Sequence, residues 1–146
     1  MQKRSRATRV TAVLAAALAG GLTARAAAAG GPGDATPQAG LKWTDAGVPG
    51  VSTAQVQGDM AKGASHFYLR YAAGFAAPKH HHSPDHYATT VSGTLVLVVG
   101  GREQRLLPGS YFAFTNKAVH AARCEGAQDC VMFIDARGPW DVVVEK

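Results

Sequence analysis

The sequence has little cysteine, no long hydrophobic run, no helical stripe and no surplus of basic charge where a nucleic acid would need it. Two cysteines in 146 residues exclude a scaffold stapled by many disulfides. The longest apolar run, Val10 to Leu22, is shorter than the roughly 20 residues a bilayer-spanning helix requires. Beyond residue 30 no apolar stripe of period 3.6 reaches useful length, which argues against a helical bundle, and no internal repeat occurs. Nucleic-acid binding needs a clustered basic face. None is present after Ala29, so no nucleic-acid partner is expected.

The formal charge of +5 is concentrated at the start of the chain. Lys3, Arg4, Arg6, Arg9 and Arg25 are five of the fifteen basic residues, and no acidic residue accompanies them before Gly30. A positive start, an apolar run and the small-residue stretch "TARAAAAGG" read as a cleavable secretory signal peptide over residues 1–29, with cleavage near Ala26, Ala28 or Ala29. The competing reading is an N-terminal membrane anchor. No cysteine follows the run, which argues against a lipoprotein anchor, and there is no clean twin-arginine pair. The mature chain then carries ten basic and ten acidic residues, a net charge of zero. A periplasmic or secreted location without stable membrane insertion after processing is expected.

Residues 30–40, "GGPGDATPQAG", form a Gly- and Pro-rich lead-in expected to be flexible. A single domain over residues 41–146 follows. "VPGVSTAQVQGDM" offers at most one short edge strand. From Ala64 onward the pattern is strand, turn, strand: "SHFYLRY", "HYATTV", "TLVLVV", "EQRLL", "SYFAFT", "AVHAARC", "CVMFIDA" and "WDVVVE", divided by Ser92-Gly93, Gly100-Gly101, Pro108-Gly109 and Asn116-Lys117. Short strands at this spacing predict an all-β sandwich or barrel. "TLVLVV" is apolar on both faces, as a strand between two covered layers would be. An immunoglobulin-like sandwich would want two well-separated cysteines around a tryptophan, and Cys124 and Cys130 are too close together for that. In an oxidising compartment they are candidates for a disulfide across "CEGAQDC". A loop of about seven residues would contribute on the order of 2 kcal/mol. The alternatives are free thiols or a metal ligand, chiefly at Cys124, which shares a strand face with His120.

Four of the six histidines, His80, His81, His82 and His86, fall within seven positions. Alternate residues of a strand share a face, so His80 and His82 point one way and His81 the other. "SPD" then turns the chain and His86 opens the next strand, while His120 lies on a later strand after the Asn116-Lys117 turn. Neutral imidazoles converging in a dry pocket suit a divalent transition metal. A solvated histidine-rich loop is the competing reading. His66 and His81 read as structural or exposed. In phase with the inward histidines lie Ala88, Thr90, Ala122 and Phe112 with Phe114 or their neighbours. Tyr68, Tyr87 and Tyr111 are candidate acid–base groups, although a tyrosine inside a small barrel is more often core.

The spacing from Gly74 to Gly93 resembles the first motif of the cupin superfamily, G-x5-H-x-H-x3-E-x6-G, with His86 where the family usually has glutamate. "LLPGSYFAFTNKAVHAARC" resembles the second motif more loosely. Pro108 and Gly109 open it and His120 occupies its ligand position. Thr115 and Lys117 stand for the usual proline and glycine, and Cys124 for the usual asparagine. Trp43, "VPGV", "GDM", "LRYAAGF" and "GPW" resemble a group of small single-domain exported cupins of unassigned function.

The resemblance implies a conical β-barrel of jelly-roll type and a metal held by His80, His82, His86 and His120. Replacing glutamate by histidine leaves about two positive charges around a divalent ion. That favours an anionic ligand, and Fe²⁺, Ni²⁺, Cu²⁺ or Zn²⁺ over harder ions. Asp85 is the fallback carboxylate. The implied function is a metalloenzyme on a small organic molecule such as a dicarbonyl, of dioxygenase, isomerase or decarboxylase type. The alternative is a non-catalytic sensor or scavenger of metal or small ligand. Cupins often pair through edge strands, and "WDVVVE" is a candidate for such homodimer pairing.

Overall fold

The computed structural model describes residues 33–146. The expected signal peptide and the first residues of the lead-in lie outside that range. Residues 33–40 are exposed and carry one turn of 3-10 helix, Gln38–Gly40, the only helical element among the described residues. No helix among them is long and apolar enough to cross a membrane.

Eleven strands follow: β1 (Thr44–Asp45), β2 (Val51–Gly58), β3 (Ser65–Tyr71), β4 (Ala76–His81), β5 (His86–Ser92), β6 (Thr94–Val99), β7 (Arg102–Leu106), β8 (Tyr111–Phe114), β9 (His120–Glu125), β10 (Cys130–Ala136) and β11 (Val143–Val144). They form two antiparallel sheets. One has the order β1-β2-β3-β10-β5-β8, the other β11-β4-β9-β6-β7. This is the expected all-β barrel of jelly-roll type. Its core lies between the inner faces, where strict alternation buries every second residue of β3, β9 and β10. Phe67, Leu95, Met132 and Ile134 are essentially sealed from solvent. Burying a side chain of this kind stabilises the fold by roughly 1.5–3 kcal/mol.

Three expectations about strands are revised. β2 is an eight-residue strand paired on both sides, to β1 and β3, rather than a short edge strand. "WDVVVE" contributes only the two-residue β11, because Trp140 turns inward. "TLVLVV" has no second layer on its outer face. Val96 is fully buried there between its register partners Arg105 and Arg123. Arg123 pairs with Glu103 and Arg105 with Glu125, so both heads are engaged while their aliphatic stems shield the valine.

Two turns matter for the site. Gly93 has φ of 75° where the chain passes from β5 to β6, and a Cβ there would lie 2.6 Å from the Asp129 carbonyl oxygen. Only glycine fits. Asn116 and Lys117 have φ of 55° and 56°, and the Ala118 amide donates to the Thr115 carbonyl at 3.1 Å. This is a type I′ turn. It delivers β9 with His120 as its first residue.

Cys124 and Cys130 form a disulfide, with Cα atoms 5.6 Å apart. It joins β9 of one sheet to β10 of the other. Cys124 does share a buried face with His120. Four residues along a strand carry it about 13 Å away, so the free-thiol and ligand readings of Cys124 are set aside.

Candidate metal centre

His80 and His120 are direct register partners across β4 and β9. His82 lies one residue beyond the end of β4, and His86 opens β5 in the opposite sheet. The "SPD" segment between them is thus a crossing from one sheet to the other, not a hairpin. All four imidazoles are buried, with exposures of 2% for His80, 7% for His82, 2% for His86 and 4% for His120. The expectation that His80 and His82 face inward while His81 faces out holds. His81 lies between β4 and the tail, with Nδ1 against Glu145 Oε1 at 2.6 Å. His66 contacts Gln57 and Asp135 on the outer surface.

His80, His82 and His120 each bring one ring nitrogen within 4.8 Å of the others. Ring centroids are 4.3 Å apart for His80 and His120, 4.9 Å for His80 and His82, and 5.4 Å for His82 and His120. His86 lies beside this group and outside it, 4.7 Å from His82 and 6.4 Å from His120.

The backbone fixes which nitrogen is free. Nδ1 of His80 faces the Pro78 carbonyl at 2.7 Å, that of His82 the Asp141 carbonyl at 2.5 Å, and that of His120 the Ala118 carbonyl at 2.9 Å. His86 makes a longer contact, 3.4 Å, to the Pro84 carbonyl. A carbonyl only accepts, so each Nδ1 carries the proton and each Nε2 keeps its lone pair. In three cases the same tautomer comes from the carbonyl two residues upstream, at Pro78, Pro84 and Ala118.

Burial favours the neutral form of three of these rings. It pushes His82 down to about 3, with neighbouring imidazoles adding to the effect and the Asp141 carbonyl opposing it. His120 falls to about 4 for the same leading reason. His86 is also lowered, by burial first. Unprotonated, buried and convergent nitrogens are the form a divalent transition ion requires, so this donor set fits one.

Aromatic faces back two of the rings. Phe114 stacks on His120 at 3.6 Å, with planes 5° apart. Trp140 stacks on His82 at 4.1 Å and meets His86 edge-on at 4.9 Å. The segment after β10 is anchored around this contact. The Arg137 amide donates to the Asp85 carbonyl, and the Trp140 amide to the Met60 carbonyl. The Asp141 carboxylate accepts from the amide and hydroxyl of Ser83 at 2.7 and 2.5 Å. Burial opposes ionisation of Asp141, yet these two bonds outweigh it and hold the carboxyl below its usual range. Trp140 and Asp141 were not singled out in the sequence as site residues. The only signal was a Gly-Pro step before a large aromatic.

Asp85 is not part of the convergent group: its Oδ1 accepts from the Asn116 amide at 2.9 Å, which holds the turn before His120. The three tyrosine candidates face away. Tyr68 packs on Phe133, Tyr87 lies under Arg137, and Tyr111 is 65% exposed. The inward tyrosine is Tyr71, whose hydroxyl burial pushes up to about 12. Of the lining residues expected, Phe112, Phe114 and Ala122 border a void of about 20 Å³ beneath the histidines. Ala88 and Thr90 are buried in the barrel wall without bordering it. A larger cleft of about 450 Å³ opens outward from His80 and His82, bounded by β2, β3, β4 and the Trp140–Val144 segment.

Residues 67–136 match the family model described as a cupin domain. Among solved structures, KdgF from Halomonas sp. is similar at 20% identity and a TM-score of 0.60, over 73% of this chain and 94% of that one. The polyketide cyclase RemF from Streptomyces resistomycificus gives 18% identity and 0.65, over 77% and 85%. An RmlC-like cupin from Shewanella frigidimarina gives 19% and 0.57, over 70% and 86%. Identities this low speak for the fold alone. No curated protein matches the sequence.

Proposed function

We propose that this chain, whose residues 67–136 match the cupin-domain model, is an exported metal-binding cupin that acts on a small organic molecule, with chemistry of the dioxygenase, isomerase or decarboxylase type. The carrying observation is the set of three buried Nε2 atoms freed by carbonyls at Nδ1. His80, His82 and His120 would hold the ion, with His86 the adjoining fourth imidazole. A divalent transition ion there supplies Lewis acidity or electrons to a coordinated small molecule. The protein's own part is to keep His82 and His120 neutral by burial and to fix their planes with Trp140 and Phe114.

Support for export comes from the basic and apolar leader together with the Cys124–Cys130 disulfide, a bond typical of oxidising compartments. Among similar structures, RemF is a polyketide cyclase, which is consistent with small-molecule chemistry on this fold.

A second reading, a non-catalytic binder of metal or small ligand, is favoured by the scarcity of acid–base groups. Besides the histidines, only Tyr71 and Asp141 among the described cleft residues titrate, and Ser83 engages Asp141. Oxygen uptake with a panel of small dicarbonyls, with and without added Fe²⁺, tests catalysis. Turnover that depends on Fe²⁺ supports the dioxygenase form. Tightly held Zn²⁺ with no exchangeable water and no turnover supports the binder.

A further inference from the structure

We propose that the cleft outside the histidines binds an uncharged, mainly apolar molecule whose single polar end meets His80 and His82. This rests on the preceding reading only in taking those histidines as the polar end of the site. The cleft's 450 Å³ falls within the range of small-molecule sites, about 300–1,000 Å³. Its walls are Val48, Met60, Phe75, Trp140, Val142 and Val144, with His80 and His82 at the inner end.

Charge decides the ligand class. Among the described residues no lysine or arginine lines the cleft, and Asp141 supplies its only carboxylate. An anionic group on the body of a ligand would lose its hydration there without a partner and would face that carboxylate. An ion at the histidines can satisfy one polar end, but it does nothing for charge placed along these walls. The anionic preference expected from two uncompensated positive charges is therefore confined to the metal-facing atom.

Much of the wall lies outside the segment 67–136 that matches the family model: nine of the sixteen lining residues do, Val48, Met60, Trp140, Val142 and Val144 among them. Val142 and Val144 are 57% and 56% exposed at the rim. A bound apolar molecule would cover part of that surface. A second copy of the chain pairing along β11 would cover it too, and is the rival occupant.

The test uses two molecules that share a hydroxymethyl end and differ by one carboxylate on the body, 2-naphthalenemethanol and 6-(hydroxymethyl)-2-naphthoate, titrated calorimetrically into the full metal-free chain. The alcohol is expected to bind about tenfold tighter or more. Val142→Glu and Val144→Glu, both at exposed positions, should each weaken the alcohol by about tenfold while leaving the Zn²⁺ capacity of the protein unchanged. Equal or tighter binding of the carboxylate overturns the proposal. So does absence of binding by either compound, whether the chain sediments as a monomer or as a dimer with β11 covered. The two readings fail separately: alcohol binding to a protein that never takes up metal would sink the metal centre and spare the cleft, and metal uptake without alcohol binding would do the reverse.

Discussion

His80 and His120 face each other directly across the β4–β9 pair, with ring centroids 4.3 Å apart. One comes from a motif with every spacer intact, the other from a degenerate one. Register between two strands, rather than proximity in sequence, makes them a site. His82 completes the group from just past the strand end, whereas His86 stands in the facing sheet beside it. His86→Ala is therefore expected to weaken Zn²⁺ by about 10–100-fold while a stoichiometric site remains, as loss of a supporting neighbour does. Calorimetric titration measures this. Complete loss of binding would place His86 among the essential ligands.

The stacking of Trp140 on His82 gives the site an optical reporter. The other tryptophan, Trp43, lies under Arg70 on the outer surface. Addition of Cu²⁺ or Ni²⁺ should quench tryptophan emission in the wild type and in Trp43→Phe. In Trp140→Phe the quenching should largely vanish. Undiminished quenching in Trp140→Phe would mean that metal binds elsewhere.

Depressed histidines make a pH prediction with a definite sign. In the unfolded chain these rings titrate near 6.5, whereas in the fold His82 lies at about 3 and His120 at about 4. Between those values and about 6.5 the unfolded state binds protons that the folded state does not, so stability of the metal-free protein falls as pH falls. Urea midpoints taken from pH 7.5 to 4.5 should be level above about 6.5 and decline below it. A midpoint that rises toward acid would contradict the neutral, buried assignment.

Lys117 occupies a left-handed backbone position where the resembled motif has glycine. A side chain there is strained, and glycine relieves the strain at some cost in unfolded-state entropy. Lys117→Gly should stabilise the fold by about 0.5–1 kcal/mol net, seen as a higher urea midpoint with an unchanged slope. A lower midpoint would show that the lysine makes a compensating contact.

Much of the fold was legible because its strands alternate cleanly. β3, β5, β9 and β10 each bury one face, so period-two hydrophobicity marks them. β2 was under-read because its only buried residue is Ala54, and a strand of half-exposed Ser, Thr and Gln carries no such signal. The inward histidines were legible for the same reason as the strands, since His80 and His82 sit two apart. The tyrosines misled because Tyr68 and Tyr87 lie on the outward phase of their strands. Trp140 and Asp141 act through a chain segment without periodicity, held by bonds to Met60, Ser83 and His82, and no local pattern announces contacts of that kind.

The most direct measurement is the metal content of the full chain, wild type against His82→Ala/His120→Ala, after refolding with Zn²⁺, Ni²⁺ or Fe²⁺ and removal of excess ion. Circular dichroism serves as the check that the β-fold persists. The account predicts about one tightly held ion per wild-type chain and almost none in the folded double variant. A folded double variant that retains the wild-type metal content would contradict it.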